Sequence, residues 1–323
     1  RYNYGFDLPY LPGKVTATDS AVICYHGSVY YLVQSGNNIQ YESCAYDEST
    51  GAITVGNGYV MGNVEWKDSL LFPDSKSNKA LYGRYYDVAS QSNKVGTITI
   101  PAGTEAVIPA SGYLFSYNLV NNGTLTAKGY CDNYGTLTNN GTINNYGLFY
   151  NEANTQFSGS GTFNNLYYAR NFPGSKTSDS MKINGLILNY DNTVSPVKWE
   201  YVAHGDAQLL CTNNQIVGAN SSVFQPLYVL SDAIFTIPES RTVDASSAAL
   251  DVTWETLSTY LSVQGKIVVN GTLKLPPDPD QEKLDELLTH ITGTGQILVG
   301  SSTAYPVTVT GGTADKSFAV QGE

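Results

Sequence analysis

Between Asn121 and Tyr150 the chain repeats itself in blocks of six: NNGTLT, AKGYCD, NYGTLT, NNGTIN, NYGLFY. Gly123, Gly129, Gly135, Gly141 and Gly147 hold the third place, and Leu125, Cys131, Leu137, Ile143 and Phe149 hold the fifth. An α-helix cannot use this period, because its 3.6-residue turn scatters every sixth side chain around the axis. A succession of short strands can. Each block then supplies one inward apolar side chain from a Thr-Leu-Thr piece and one bend from an Asn-Gly or Tyr-Gly pair. Glycine, and asparagine next best, suits such a bend because it tolerates positive φ. The apolar register extends back through Leu119 and Tyr113 and, after a two-residue shift, forward to Phe157 and Phe163.

A looser order recurs on a larger scale. "AIFTIPESRTVDAS" echoes "GTITIPAGTEAVIP", "GKIVVNGTLKL" echoes "YNLVNNGTLTA", and "ITGTGQILV" echoes "FSGSGTFNN". Residues 97–163 and 234–297 thus read as two copies of one plan, the sign of a stacked, quasi-one-dimensional architecture. The division expected is an N-terminal β domain with an extended aromatic arm (1–95), a first repeat segment (96–170), a connecting β region (171–232) and a second segment (233–323). In the first region, period-two runs separated by Gly27-Ser28, Gly36-Asn37-Asn38 and Ser49-Thr50-Gly51 predict hairpins in a sandwich, a small barrel or a hairpin sheet. One helix is predicted near 279–291, inserted in the second copy. Asp278 is its cap, Pro279 its first residue, and Leu284, Leu287, Leu288 and Ile291 its buried stripe, with Gly293 as the stop.

The Asn-x-Gly-Thr-Leu blocks, led in by "TITIPAGTEAVIP", resemble the repeats of parallel β-helix (β-solenoid) surface proteins, among them bacterial adhesins and other cell-envelope proteins. The resemblance implies an all-β chain in which Leu119, Leu125, Cys131, Leu137, Ile143 and Phe149 line a narrow core. It also implies that equivalent asparagines stack as hydrogen-bonded ladders and that threonines face solvent. It implies no particular activity.

Composition narrows the function. The chain has 17 Lys and Arg against 28 Asp and Glu, a formal net charge of −11. That excludes nucleic acid as an expected partner, because phosphate binding needs clustered basic residues. Only 14% of residues are charged, against about 25% in ordinary soluble domains. The polarity comes instead from Ser, Thr, Asn, Gly and 25 tyrosines, which points to an extracellular or cell-surface protein. No apolar run reaches the length of a transmembrane helix. Cys24 and Cys44 are close enough in one β-rich stretch to form a disulfide. Asn220, Asn122, Asn140 and Asn270 lie in glycosylation sequons, with Asn220 the best acceptor.

Chemistry-bearing residues are sparse. His26, His204 and His290 are isolated, and no metal or serine-hydrolase motif occurs, so no catalytic residue, cofactor or metal ligand is assigned. Asp132, Glu152, Asp191 and Asp206 are the carboxylates a polysaccharide-active β-helix would use, but none stands in a recognisable pair and all read as exposed turn residues. The acidic group Asp278, Asp280, Glu282, Asp285 and Glu286 reads as a solvated, capped helix face rather than a calcium loop. Tyr30-Tyr31, Tyr85-Tyr86 and Tyr167-Tyr168 read as packing residues before sugar-stacking ones. The expectation is a non-enzymatic structural protein whose partner is itself. It would assemble through strand edges or solenoid ends into an envelope, sheath, filament or adhesive layer. An adhesin or carbohydrate-binding module is the first alternative, and a polysaccharide-active enzyme the second.

Overall fold

The computed structural model describes residues 97–108, 110, 112–209, 225–246 and 251–300, with short strands between 21 and 95 and at Pro306–Thr308. It is an all-β parallel solenoid with two short helices. The chain divides into two compact units, Arg1–Asn164 with Arg170–Lys182, and Asn165–Ala169 with Ile183–Glu323.

In the first unit three blocks of six make one coil. Thr124 lies in parallel register on Thr142, and Leu119 on Leu137, a step of 18 residues. The coil has three faces. The first is built from the leading halves of Tyr113–Asn121 and Tyr130–Asn139 and from Leu148–Asn151. The second takes Ile98–Ile100, the trailing halves of the same two long strands, and Gln156–Ser158. The third stacks Glu105–Ile108, Thr124–Ala127 and Thr142–Asn145. Leu119, Leu125, Cys131, Leu137, Ile143 and Phe149 all point inward and are essentially sealed from solvent, as are Phe157 and Phe163. The two-residue shift before Phe157 is a turn at Ala153–Asn154, with Asn154 at φ 61°, and it lengthens that coil step from Thr136 to Gln156 to 20 residues.

Two expectations need correction. Tyr113 is not a core residue. It is 44% exposed and Leu114 takes the inward place. The register slips between Ser116 and Asn118, where one residue faces two on the next coil, as in a β-bulge. Nor do the repeat glycines serve positive φ, since none of the five appears among the positive-φ residues. Their constraint is closeness to the neighbouring coil. A Cβ on Gly141 would overlap the carbonyl oxygen of Gly123, one on Gly147 that of Gly129, and one on Gly135 that of Tyr117. At Gly123 the obstacles are the carbonyls of Pro101 and Thr104.

Asparagines run in ladders along the corners. Asn121 Nδ2 donates to Asn139 Oδ1 at 2.7 Å, Asn133 to Asn151 at 3.2 Å, and Asn151 to Asn171 at 2.8 Å. An exposed counterpart links Asn140 to Asn122, and a half-buried one links Asn164 to Asn144.

The second unit repeats the plan with longer coils. One face stacks Asp206–Gln208, Ile234–Ile237, Lys266–Val269 and Ile291–Thr292. A second stacks Thr242–Asp244, Thr272–Leu275 and Gln296–Val299, with Pro306–Thr308 antiparallel on the last. Lys198–His204, Leu227–Val229 and Leu261–Val263 form the third. The duplication reaches individual hydrogen bonds. Thr104 N donates to Pro101 O at 3.1 Å and Arg241 N to Pro238 O at 3.1 Å. Asn122 N donates to Ile100 O at 2.8 Å and Asn270 N to Ile237 O at 2.9 Å. Gly159 and Gly293 share φ near +113° and +123°.

The predicted helix is Gln281–Thr289, shorter than expected. Its cap is Asp280, not Asp278. The Asp280 carboxylate accepts from the backbone N–H groups of Glu282 and Lys283, whereas Asp278 sits in a turn at φ 52°. Leu284 and Leu288 are buried, while Ile291 already belongs to the following strand. A second short helix, Leu257–Tyr260, was not legible. In the first region, Ala21–Tyr25, Ser28–Ser35 and Asn38–Ser43 form an antiparallel meander. The aromatic arm before them and Cys44 lie outside the described residues, and of Cys24 only the strand is described, so the expected Cys24–Cys44 disulfide also lies outside them.

The corner packing makes a prediction. Gly141→Ala adds one methyl group against backbone that cannot rotate away, and it should destabilise the first unit by about 1–3 kcal/mol. Gly103→Ala is the comparison, because a Cβ there meets open space despite φ +77°. Thermal melts of the two variants check this, with the larger fall expected for Gly141→Ala.

Candidate functional site

Because Cys131 and Phe149 point inward, alternate residues on the same strands point out from the first face. Register fixes what meets what. Phe115, Asp132 and Tyr150 form one outward column, and Tyr113 and Tyr130 begin another. The result is a lattice of rings. Tyr113 lies 5.7 Å from Tyr130 between centroids, Phe115 5.9 Å from Tyr130, Tyr117 5.4 Å from Tyr134, and Tyr130 5.0 Å from Tyr150, the last edge-on. The next coil adds Arg170, whose guanidinium carbon stands 4.5 Å from the Tyr150 centroid and 4.2 Å from that of Phe172, within cation–π range. Tyr113 and Tyr134 remain 44% and 43% exposed.

Two carboxyl groups sit in this lattice. Asp132, at 1% exposure, is buried beneath the rings. It meets the hydroxyls of Tyr134 and Tyr130 and the carboxyl of Glu152, while its Oδ1 has no hydrogen-bond partner. Burial, and then the charge of Glu152, push the Asp132 carboxyl up to about 7, against the opposing pull of the tyrosine hydroxyls. Glu152 is also raised, by burial, with Arg170 and the hydrogen bond from Asp132 working the other way. Asp132 is therefore the member that holds the proton and donates it toward Glu152. Burial first, then Asp132, raises the hydroxyls of Tyr130 and Tyr134, so both stay neutral. Cys131, directly behind, is a buried free thiol held protonated by burial.

The structure thus joins two of the four carboxylates that the sequence left separate. Asp132 and Glu152 form a pair, and Asp132 is no exposed turn residue. It is mid-strand, and its neighbours at i−2 and i+2 cover it. The other two stay apart. Asp191 lies at an exposed hairpin end, where the Thr193 hydroxyl and backbone N–H hold its carboxyl below the usual range. Asp206 is exposed on its strand. Of the helix acids, Asp280 caps and Asp285 accepts from Gln281. His204 is lowered by burial, and His290 Nδ1 lies 2.7 Å from Gly265 O. Asn122 and Asn140 stand on an exposed corner, Asn270 is half-buried at the matching corner of the second unit, and Asn220 lies outside the described residues, as do His26 and the side chains of Tyr30, Tyr31, Tyr85 and Tyr86. Tyr167 is exposed, and Tyr168 packs against the second unit's core.

Adjacent tyrosine pairs such as Tyr85-Tyr86 do not disclose the ring lattice. The signal that does is alternation within "YLFSY" and "YCDNY", two stretches 17 residues apart from Tyr113 to Tyr130. Among the described residues, no helix is long and apolar enough to cross a membrane. No family model matches the chain, and neither a curated protein nor a solved structure does.

The elevated carboxyl predicts a pH dependence of stability. The folded chain keeps a proton on Asp132 that the unfolded chain releases above about pH 4. The contribution is complete at low pH and is lost as pH rises to about 7. Melting temperature should therefore fall between about pH 5 and about pH 8 in the wild type, and fall less steeply in Asp132→Asn. Parallel curves would show that the carboxyl is not held up.

Proposed function

We propose that the chain is a non-enzymatic solenoid of an extracellular surface whose first face binds neutral glycan chains. The observation that carries this reading is the ring lattice itself. It is a continuous aromatic surface on a flat parallel sheet, with exposed Tyr113 and Tyr134 flanking a carboxyl pair and Arg170. Exposed apolar surface of this kind marks a binding face. Sugar rings lay their C–H faces on aromatic rings, and the carboxylate of Glu152 and the tyrosine hydroxyls supply acceptors and donors beside them. Burial of Asp132 argues against hydrolysis, since its proton lies under side chains where a glycosidic oxygen cannot reach it.

Self-assembly is a second reading, favoured by one feature of the second unit. Among the described residues the outer edge of Ile291–Thr292 carries no further strand, and an open edge is a template for pairing with another chain. Light scattering on the purified protein tests it, and a monomer at high concentration would remove it.

For the glycan reading, the double replacement Tyr113→Ala with Tyr134→Ala is the test. At about 1 kcal/mol per ring, retention on insoluble chitin, cellulose or a hit from a glycan array should weaken roughly 30-fold, with little change in melting temperature. Undiminished retention would remove the first face from consideration.

A further inference from the structure

Asp132 is enclosed on all four sides of its sheet position. Tyr130 and Tyr134 flank it along its own strand, Phe115 lies across from it on the preceding coil and Tyr150 on the following one. The groups facing it can be named strand by strand. Tyr113–Asn121 contributes Phe115, with Tyr117 stacked on Tyr134, Tyr130–Asn139 contributes Tyr130 and Tyr134, and the next coil contributes Tyr150 and Glu152. Beyond them Arg170 acts on Glu152 and Tyr150, and its guanidinium lies over the rings of Tyr150 and Phe172. The one charge that bears on Asp132 among the described residues is thus a carboxylate.

We infer that the Asp132–Glu152 pair is a pH-operated latch beneath the aromatic face: one shared proton keeps the rings closed over Asp132, and its loss opens them to water. With the proton in place, the pair carries a single charge, and it rests on Glu152 at the half-buried rim. Without it, two carboxylates on adjacent coils face each other, and Asp132 Oδ1 has nothing to accept from. The Tyr130 and Tyr134 hydroxyls offset only part of the cost of such a buried charge, and hydration must supply the rest. Water can enter where a ring can move, and Tyr134 is the exposed one of the four around Asp132. Tyr134 is also an outer contact of the proposed glycan face, so the latch makes binding tighter in acid than in base. This consequence rests on the glycan reading; the latch itself does not.

Near-ultraviolet circular dichroism of the free protein, from about pH 5.5 to about pH 8.5, reads the rings without any ligand. The expected result is a change in the tyrosine bands with a midpoint at about 7, absent in Asp132→Asn. Retention on chitin and cellulose at the two ends of that range should be at least about fivefold stronger in acid for the wild type, and equal at both ends for Asp132→Asn. A flat wild-type spectrum, or the same transition in the variant, overturns the latch. A transition that depends on Asp132 without retention at either pH upholds the latch and removes the glycan reading. Retention that is equal at both pH values in the wild type overturns the coupling. Should Asp132→Asn fail to fold, Glu152→Gln replaces it. That change removes a charge that raises Asp132, so the midpoint should move to lower pH, and an unmoved midpoint overturns the pairing.

Discussion

Everything in the first unit depends on how closely one coil's backbone lies on the next at the corners. Parallel strands sit about 4.8 Å apart along a hydrogen-bonded ladder, and the chain must turn twice more per coil without widening that gap. Gly141 and Gly147 lie on the carbonyls of Gly123 and Gly129 with no room for a side chain. The bonds that close the corner follow at once: Thr142 N donates to Gly123 O at 2.9 Å and Leu148 N to Gly129 O at 2.9 Å. Buried asparagines two residues before Gly123 and Gly135 then meet their equivalents on the next coil, Asn121 donating to Asn139 and Asn133 to Asn151, and the ladder satisfies amides that burial would otherwise leave unpaired. Where a coil lacks the asparagine, the ladder ends. Ile100 occupies that place before Asn121, and Asn121 Oδ1 is left without a partner.

Once the corners set the spacing, the outward positions are free to carry chemistry. A coil spacing of about 4.8 Å suits offset and edge-on aromatic pairs. An aromatic residue at one outward position therefore favours another above it, and the first face fills with rings. A carboxyl placed in that surface loses water on every side, and the same register that stacks the rings brings the next coil's Glu152 beside it. The perturbed titration of Asp132 is thus a consequence of the solenoid geometry, and such sites are where function is to be sought.

The second unit shows which parts of the plan are obligatory. The corner with Pro238, Arg241 and Asn270 repeats that of Pro101, Thr104 and Asn122 bond for bond. Between such corners the coils swell: Ile234 to Lys266 is a step of 32 residues, and Thr272 to Gln296 one of 24. The added segments include both helices. Gln281–Thr289 buries Leu284 and Leu288 against the core, and Trp254 Nε1 reaches Pro276 O at 3.0 Å. Stacking tolerates insertions at one corner because only the strands must keep register.

The amino-acid sequence by itself determined the solenoid, its core and its duplication. A period of six and the inward column from Leu119 to Phe149 are local patterns, and local patterns survive translation into strands. It misplaced Tyr113, because Tyr117 alone faces the two residues Tyr134 and Gly135 of the next coil, and that one-residue phase shift leaves no mark in composition. It gave the glycines the wrong reason, because a close approach between residues 18 apart, as between Gly123 and Gly141, is not a property of either residue alone. The helix cap moved by two residues for a similar cause, since Asp278 and Asp280 both suit a cap and only the path of the chain chooses. The pairing of Asp132 with Glu152 was decided by tertiary structure alone. They are 20 residues apart: the 18-residue coil, held by the corner glycines, sets Tyr150 across from Asp132, and Glu152, two residues further on, comes beside the carboxyl on the same face.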